Sequence, residues 1–384
     1  MPFLRSRRVG ALLAACSLVA CTKPAPPILR IGLIGIFEGT AKDASGIPAQ
    51  RGAQLAVEEL NAAGGVNIGG VRHLVRLTER QIEPRTDAAA AAARNLINID
   101  SVDVVIGPQF SNLAIAAGAV AEAASVPLIA PMASSPTVTA DRQFVTRLAF
   151  VDAQQGEVLA RFAYDSLKVR RAAALFNVAS GYGREIVRLF SSTFSIVGGT
   201  FTDSVTFNSD APEELNTALR RVLAGRPDAI LLPNFVSKDS MQPRLLRAMG
   251  YTGRFLGSDG WDATAIKDRS ALVGVIIVGN FDKRDARPAL AAFSARWRQR
   301  YPNDMLRATA AATYDAVKIV ADAALAAGTT EGTALAMAIR APRTFEGALA
   351  TYRFNGSGDP IRGAVLLEVR ADSAILRATA TATR

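Results

Sequence analysis

"VDVVIGPQFSNLAIAAGAVAEAASVPLIAP", Val102 to Pro131, reads as a strand, a helix and a second strand in direct succession. "VDVVIGP" and "VPLIAP" are almost unbroken apolar runs, and "SNLAIAAGAVAEAAS" between them is an alanine-rich helix with Ser111 at a candidate N-cap. Strands without a polar face, linked through a helix, belong to a parallel sheet covered on both sides.

The same alternation extends outward. Upstream, "ILRIGLIGI" is a strand, "PAQRGAQLAVEELNAAGG" a helix ended by Gly64-Gly65, "HLVRLTERQ" a strand and "TDAAAAAARNLI" a helix. After about residue 150 a second series begins. It runs through strands at "RAAALFNV", "GGTFTDSVTF", "PDAILLPNF", "RFLGSD" and "VGVIIVGNF", with helices between them. Two further helices follow, "PALAAFSARWRQRY" and "ATAAATYDAVKIVADAALAAG", and the tail from Ala350 reads as a β-hairpin with a polar turn. The fold class is α/β, with two lobes, since this length exceeds what one compact core holds.

The opening stretch "ILRIGLIGIFEGTAKDASG", Ile28 to Gly46, is rich in glycine. A dinucleotide-binding GxGxxG from Gly32 would need glycine where Ile34 and Phe37 stand, and a loop of about ten residues separates the motif from the next helix. The stretch is better read as a strand and a loop, with Gly35 and Gly39 letting the backbone turn.

The N-terminus has a basic segment (Arg5, Arg7, Arg8) and an apolar run, Val9 to Ala20, too short to span a bilayer. Residues 1–20 read as a secretory signal. "LVAC" at 18–21 resembles the lipobox of bacterial lipoproteins, which implies cleavage before Cys21 and its acylation; a soluble secreted protein is the alternative. Residues 21–27 form a proline-rich linker. Losing the signal leaves 41 basic against 34 acidic residues and no free thiol for a disulfide or a thiolate metal site. The basic residues are spread out, without the clusters interleaved with aromatics that nucleic-acid binders carry. The densest stretch, "RWRQR" at Arg296 to Arg300, sits in a helical pattern and reads as a solvated face.

Several ordered stretches together resemble the solute-binding proteins of branched-chain amino acid ABC transporters: "GAQLAVEELNAAGGV", "VVIGPQFSNLA", "VPLIAPMASSP", "RLAFVDAQQGEVLA", "GYGREI", "PDAILLPNF", "FLGSDGW" and "TYDAV". The resemblance covers roughly residues 28–370. It implies a type I periplasmic binding protein fold, with two Rossmann-like lobes, three crossovers and a ligand cleft between the lobes. Lobe one would comprise 28–149 plus 279–349, and lobe two 150–278 plus 350–384.

Site residues follow from the same resemblance. Ser111 and Ser134 match the hydroxyls that hold the ligand carboxylate, a role also suited to loops at helix N-termini. The carbonyl of Ala133 and the acid Asp259 match the ammonium site. Tyr182 and Phe235 match aromatic positions on the second lobe. The local alternatives are N-capping for Ser111, a turn before Gly260 for Asp259 and core packing for Phe235. Glu38 departs from the family, which has a small hydroxyl residue there; it either meets a cationic or polyhydroxyl ligand or points to solvent.

The implied activity is capture of a small polar solute, an amino acid or related compound, by lobe closure and delivery to an ABC permease with its ATPase. A monomer without cofactor, lipid-anchored outside the cytoplasm, is expected. A ligand-sensing or structural lipoprotein acting on a protein partner shares the fold and stays open. An enzyme is not expected: the chain has a single histidine, His73, at the start of a strand, with no second imidazole, no HExxH, no free thiol in the mature form and no nucleophile elbow, so neither zinc hydrolysis nor a Ser-His-Asp triad can be assembled.

Overall fold

The computed structural model describes residues 26–39, 41–178, 181–208, 211–234, 241–261, 270–280, 282 and 284–381. The first sheet contains β1 (Ile28–Gly35), β2 (Val66–Ile68), β3 (Val71–Gln81), β4 (Val104–Ile106), β5 (Leu128–Ala130) and β6 (Val145–Arg147), in the order β2-β3-β1-β4-β5-β6. All neighbours run parallel except β2 and β3. The two-residue period of a strand divides its side chains between two cores. Leu29, Ile31, Leu33, Val104 and Ile106 face one core, which α1 (Ile47–Ala62) and α9 (Ala308–Ala327) cover, while Ile34, Val105 and Leu128 face the other, under α2 (Thr86–Asn98) and α3 (Ser111–Ala123). α8 (Pro288–Arg300) and α10 (Gly332–Arg340) complete the first core with Phe293, Trp297, Leu335 and Ile339. Each fully buried Leu, Ile or Phe contributes about 1.5–3 kcal/mol relative to exposure.

The second sheet contains β7 (Arg171–Asn177), β8 (Thr200–Phe207), β9 (Ala229–Leu232), β10 (Arg254–Gly257), β11 (Ile276–Gly279), β14 (Gly363–Val369) and β15 (Ala374–Thr381). Its order is β15-β14-β11-β10-β9-β7-β8, parallel from β8 to β11 and antiparallel through the last two strands. Packed on one face are α4 (Asp152–Asp165) and α5 (Gly181–Ile196), and on the other α6 (Pro212–Ala224) and α7 (Met241–Ala248).

The chain passes between the two sheets after β6, after β11 and before β14. Arg362, almost fully buried, ties these passages together: Nη1 donates to the Leu148 carbonyl (3.2 Å) and Nη2 to the Asn280 carbonyl (3.1 Å).

The structure departs from the sequence reading in several places. The tail is the expected hairpin only in part: across its polar turn Arg353 and Ile361 form a single antiparallel bridge, with N–H to carbonyl bonds of 2.9 Å in both directions. β13 (Thr351–Phe354) pairs with β12 (Arg343–Glu346), which the sequence reading missed, and the tail's own hairpin is β14–β15. Tyr352 and Phe354 consequently pack in the first core, and the chain joins the second sheet only at Gly363 rather than at residue 350. In the opening loop, Gly39 does adopt a left-handed φ of 75°, whereas Gly35 ends β1 and leaves room for the Phe37 ring. The constrained glycine there is Gly46, whose added Cβ would lie 1.8 Å from the Ile36 carbonyl oxygen. The basic stretch on α8 is partnered: Arg300 pairs with Glu58 and Arg296 with Glu59 on α1.

Candidate functional site

Open α/β sheets present their loops beyond the carboxyl ends of parallel strands. Five such loops matter here, following β4, β5, β6, β7 and β10. The sheet order places the first three side by side in one lobe, and β7 and β10 flank β9 in the other.

Ser111 is the first helical residue of α3, and Phe110 occupies the capping position. A residue already inside the first turn lacks the extended backbone that lets a cap reach forward to N–H groups, so capping does not describe its role. Its Oγ accepts from the Ser135 N–H at 3.2 Å, which joins the loop after β4 to the loop after β5. The hydroxyl proton stays available for a further acceptor. Ala133 and Ser134 lie in that second loop, both buried. The Ser134 carbonyl accepts from Arg147 Nη1 (2.7 Å) and from the Asp152 N–H (3.2 Å), so the first crossover brings the start of α4 against this loop.

Asp152 and Gln155, both fully buried on the first turn of α4, continue the network. Gln155 Nε2 donates to Asp152 Oδ1 at 3.3 Å, and Gln155 Oε1 accepts from the Asp259 N–H at 3.0 Å. Asp259 occupies the turn after β10, which closes through the Trp261 N–H to the Ser258 carbonyl at 3.0 Å. Its carboxylate is not spent on that turn: Oδ1 accepts from the Tyr182 hydroxyl, which in turn accepts from the Gly260 N–H at 2.9 Å. Ser111, Ser134, Tyr182 and Asp259, from four separate loops, are therefore linked by one chain of contacts that includes Asp152 and Gln155.

The electrostatics of this cluster favour protonated acids when no cation is near. Burial raises the carboxyl of Asp152 well above its ordinary value, and the neighbouring Asp259 raises it further, against the Ser134 hydroxyl and Arg147. Burial also raises Asp259, opposed by Tyr182, Gln155 and Arg362. Asp259 nevertheless keeps some accessible surface, so a ligand group can reach it. Tyr182 is raised well above the usual phenol value by burial and by both acids, and it stays a neutral donor.

One expected residue does not join the cluster. Glu38 is exposed in the loop after β1 and makes none of these contacts. Phe235, like Cys21 and the signal segment, lies outside the described residues. Asp152 and Gln155 were not singled out from the sequence. Their signal was an Asp–Gln pair spaced i, i+3 at a helix start, where such side chains meet and an acid complements the helix dipole. His73 stands on β3 near the far end of the first sheet, its Nδ1 3.0 Å from the Val71 carbonyl.

A profile of the periplasmic binding proteins matches residues 28–374. The chain belongs to the periplasmic binding protein family. Among periplasmic binding proteins, it is 25% identical to a Leu/Ile/Val-binding protein of Rhizobium johnstonii, over 86% of this chain and 88% of that one. Its structure is similar to that of a leucine-binding protein of Thermotoga maritima, with a TM-score of 0.83, 27% identity and coverage of 92% and 98% of the two chains. A solute-binding protein of Rhodopseudomonas palustris in complex with 3,4-dihydroxybenzoic acid shares the fold, with a TM-score of 0.80 over 93% and 98% of the chains at 19% identity. The α/β architecture with two lobes is the type I form of the family. Among the described residues, no helix of this periplasmic binding protein is long and apolar enough to cross a membrane.

Proposed function

We propose that this chain is an extracytoplasmic solute-binding lipoprotein, anchored through Cys21, which captures a small zwitterion of the amino acid class and delivers it to an ABC permease. The observation that carries the reading is Asp259: a half-buried acid, held by the Tyr182 hydroxyl, linked through Gln155 and Asp152 to the hydroxyl-bearing loops of the other lobe. A solute ammonium meets the Asp259 carboxylate and the Ala133 carbonyl. Its carboxylate meets the hydroxyls of Ser111 and Ser134. Each hydrogen bond to a charged group is worth about 1.5–3 kcal/mol. Binding to one lobe followed by closure of the other joins the two halves of the site, with Phe235 as an aromatic wall.

An aromatic acid without an amine would leave Asp259 facing only another anion. The acid therefore favours amino acids over aromatic acids as the solute class. Calorimetry of residues 22–384 against amino acids, amides and aromatic acids tests this, together with mass spectrometry of any solute retained through purification. An α-amino acid should bind and should lose affinity in Ser111→Ala/Ser134→Ala and in Asp259→Ala. Equal binding by wild type and both variants, or retention of a benzoate in place of an amino acid, would sink the assignment.

A further inference from the structure

Gln155 is fully buried, yet it is one of the few polar side chains that touches both acids of the site. Its acceptor holds the backbone of Asp259, 104 positions away in sequence. Its donor holds Asp152, whose own N–H is bonded to the Ser134 loop. A side-chain amide offers an acceptor on one atom and a donor on another, and so can serve two such neighbours at once. A glutamate would keep the acceptor but lose the donor and add a third buried charge, whereas an alanine would lose both.

We infer that Gln155 is a positioning residue for solute recognition: it fixes the turn that presents Asp259 and couples that turn, through Asp152, to the Ser134 loop. The inference rests on the reading of Asp259 as the ammonium site. A wholly structural glutamine would stabilise the fold without influencing when Asp259 is ionised. A positioning glutamine does influence it: its Oε1 holds the Asp259 N–H that orients the turn, and its amide beside the carboxyl opposes the rise that burial causes. Also facing the two acids are Tyr182 and Glu185 from α5, Arg147 from β6 and Arg362 from the segment before β14.

The test follows the aspartate Cγ signals of the full chain against pH by 13C NMR, in wild type, Gln155→Ala and the isosteric Gln155→Glu. Asp259→Asn identifies the Asp259 signal. Asp152 and Asp259 interact, so both signals are tracked as one coupled titration. In both Gln155 variants the Asp259 signal should titrate at higher pH than in wild type, with the larger displacement in Gln155→Glu. Calorimetry with L-leucine gives the second readout. Gln155→Ala should bind about tenfold more weakly, the loss expected from about one hydrogen bond, and its affinity should decline at a higher pH as the solution is acidified.

An Asp259 titration left unmoved by Gln155→Ala in a folded protein overturns the inference, whatever L-leucine does; the displacement in Gln155→Glu also contains the repulsion of the new carboxylate. A displaced titration in a protein that binds no amino acid leaves the positioning role standing and removes the functional reading instead.

Discussion

Asp315 and Asp152 are both buried aspartates, and the two regions that hold them treat them in opposite ways. Asp315, on α9 in the first core, accepts from the Ala348 N–H (2.6 Å), the Leu349 N–H (2.8 Å) and the Tyr352 hydroxyl (3.2 Å). Arg287 covers the same loop by donating to the carbonyls of Gly347, Ala348 and Leu349. Asp152, at the junction of the lobes, accepts one long bond from Gln155, is favoured in its charged form only by the Ser134 hydroxyl and Arg147, has no hydrogen-bond partner at Oδ2 among the described residues and sits beside a second acid. A buried acid surrounded by donors pins a loop, whereas one left partly unsatisfied is costly to the fold. The difference separates a fastening in lobe one from a cluster whose acids are only partly met by donors.

The largest expected effect tests the fastening. Asp315→Ala leaves two buried N–H groups and the Tyr352 hydroxyl without their acceptor, and unfolding in urea should show a loss of about 3–5 kcal/mol. A loss below that of the corresponding change at Asp152 would break the contrast between the two acids.

Asp259→Asn tests the other side. It keeps the shape and removes the charge, so affinity for an α-amino acid should fall by about 10- to 100-fold, the worth of a charge-assisted hydrogen bond. Stability should change much less than in Asp315→Ala. A variant that lost stability while keeping its affinity would place Asp259 with the structural acids.

How far these roles could be read beforehand depends on how local their signals are. The parallel sheets were legible because "VDVVIGP" and "VPLIAP" state their burial in their own composition. Ser111, Ser134 and Asp259 were legible as positions because each follows such a strand, and the family resemblance gave them roles. Asp152 and Gln155 were not, since their meaning arises only when the chain crosses from β6 to α4 and meets a turn about a hundred residues later. The tail misled in part for the same reason. "FNGSGDPI" between two β-rich runs has the local chemistry of a hairpin turn and does bring Arg353 back to Ile361, but the pairing stops at that bridge, because the partners of the flanking strands, β12 and β11, are chosen by tertiary packing. Glu58 and Glu59, adjacent on one helix, did not suggest a shared purpose. They are answered by Arg300 and Arg296 on a helix far along the chain.

The pH dependence of stability sharpens the contrast further. Burial raises Asp315 from 3.8 to about 7 in spite of its three donors. For an acid whose folded value lies above its unfolded one, the folded state holds the extra proton. The associated stability is complete below the unfolded value and is lost as pH rises through the folded one. Between about pH 4 and 7 this residue should lower stability by up to about 1.4 kcal/mol per pH unit. The advantage of wild type over Asp315→Asn should therefore be greater at pH 4.5 than at pH 7.5, as read from urea midpoints at the two values. An advantage that grew with pH would contradict the sign.

Asp152→Asn should have the smallest effect on stability, and its direction is what matters. The amide oxygen can still accept from Gln155, so the bond that holds the glutamine survives. What disappears is an acid raised first by its burial and then by the second acid beside it. At neutral pH the variant should be as stable as wild type or more stable by about 1 kcal/mol, since replacing a buried acid that lacks a full donor set with a neutral group is neutral or favourable. The same substitution at Asp315 removes a carboxylate that accepts from three donors and puts an amide, with only one acceptor atom, in its place, so it should destabilise. Opposite signs for one chemical change at two equally buried positions would show that it is the completeness of the donor set, not burial, that divides the fastening acid from the site acid.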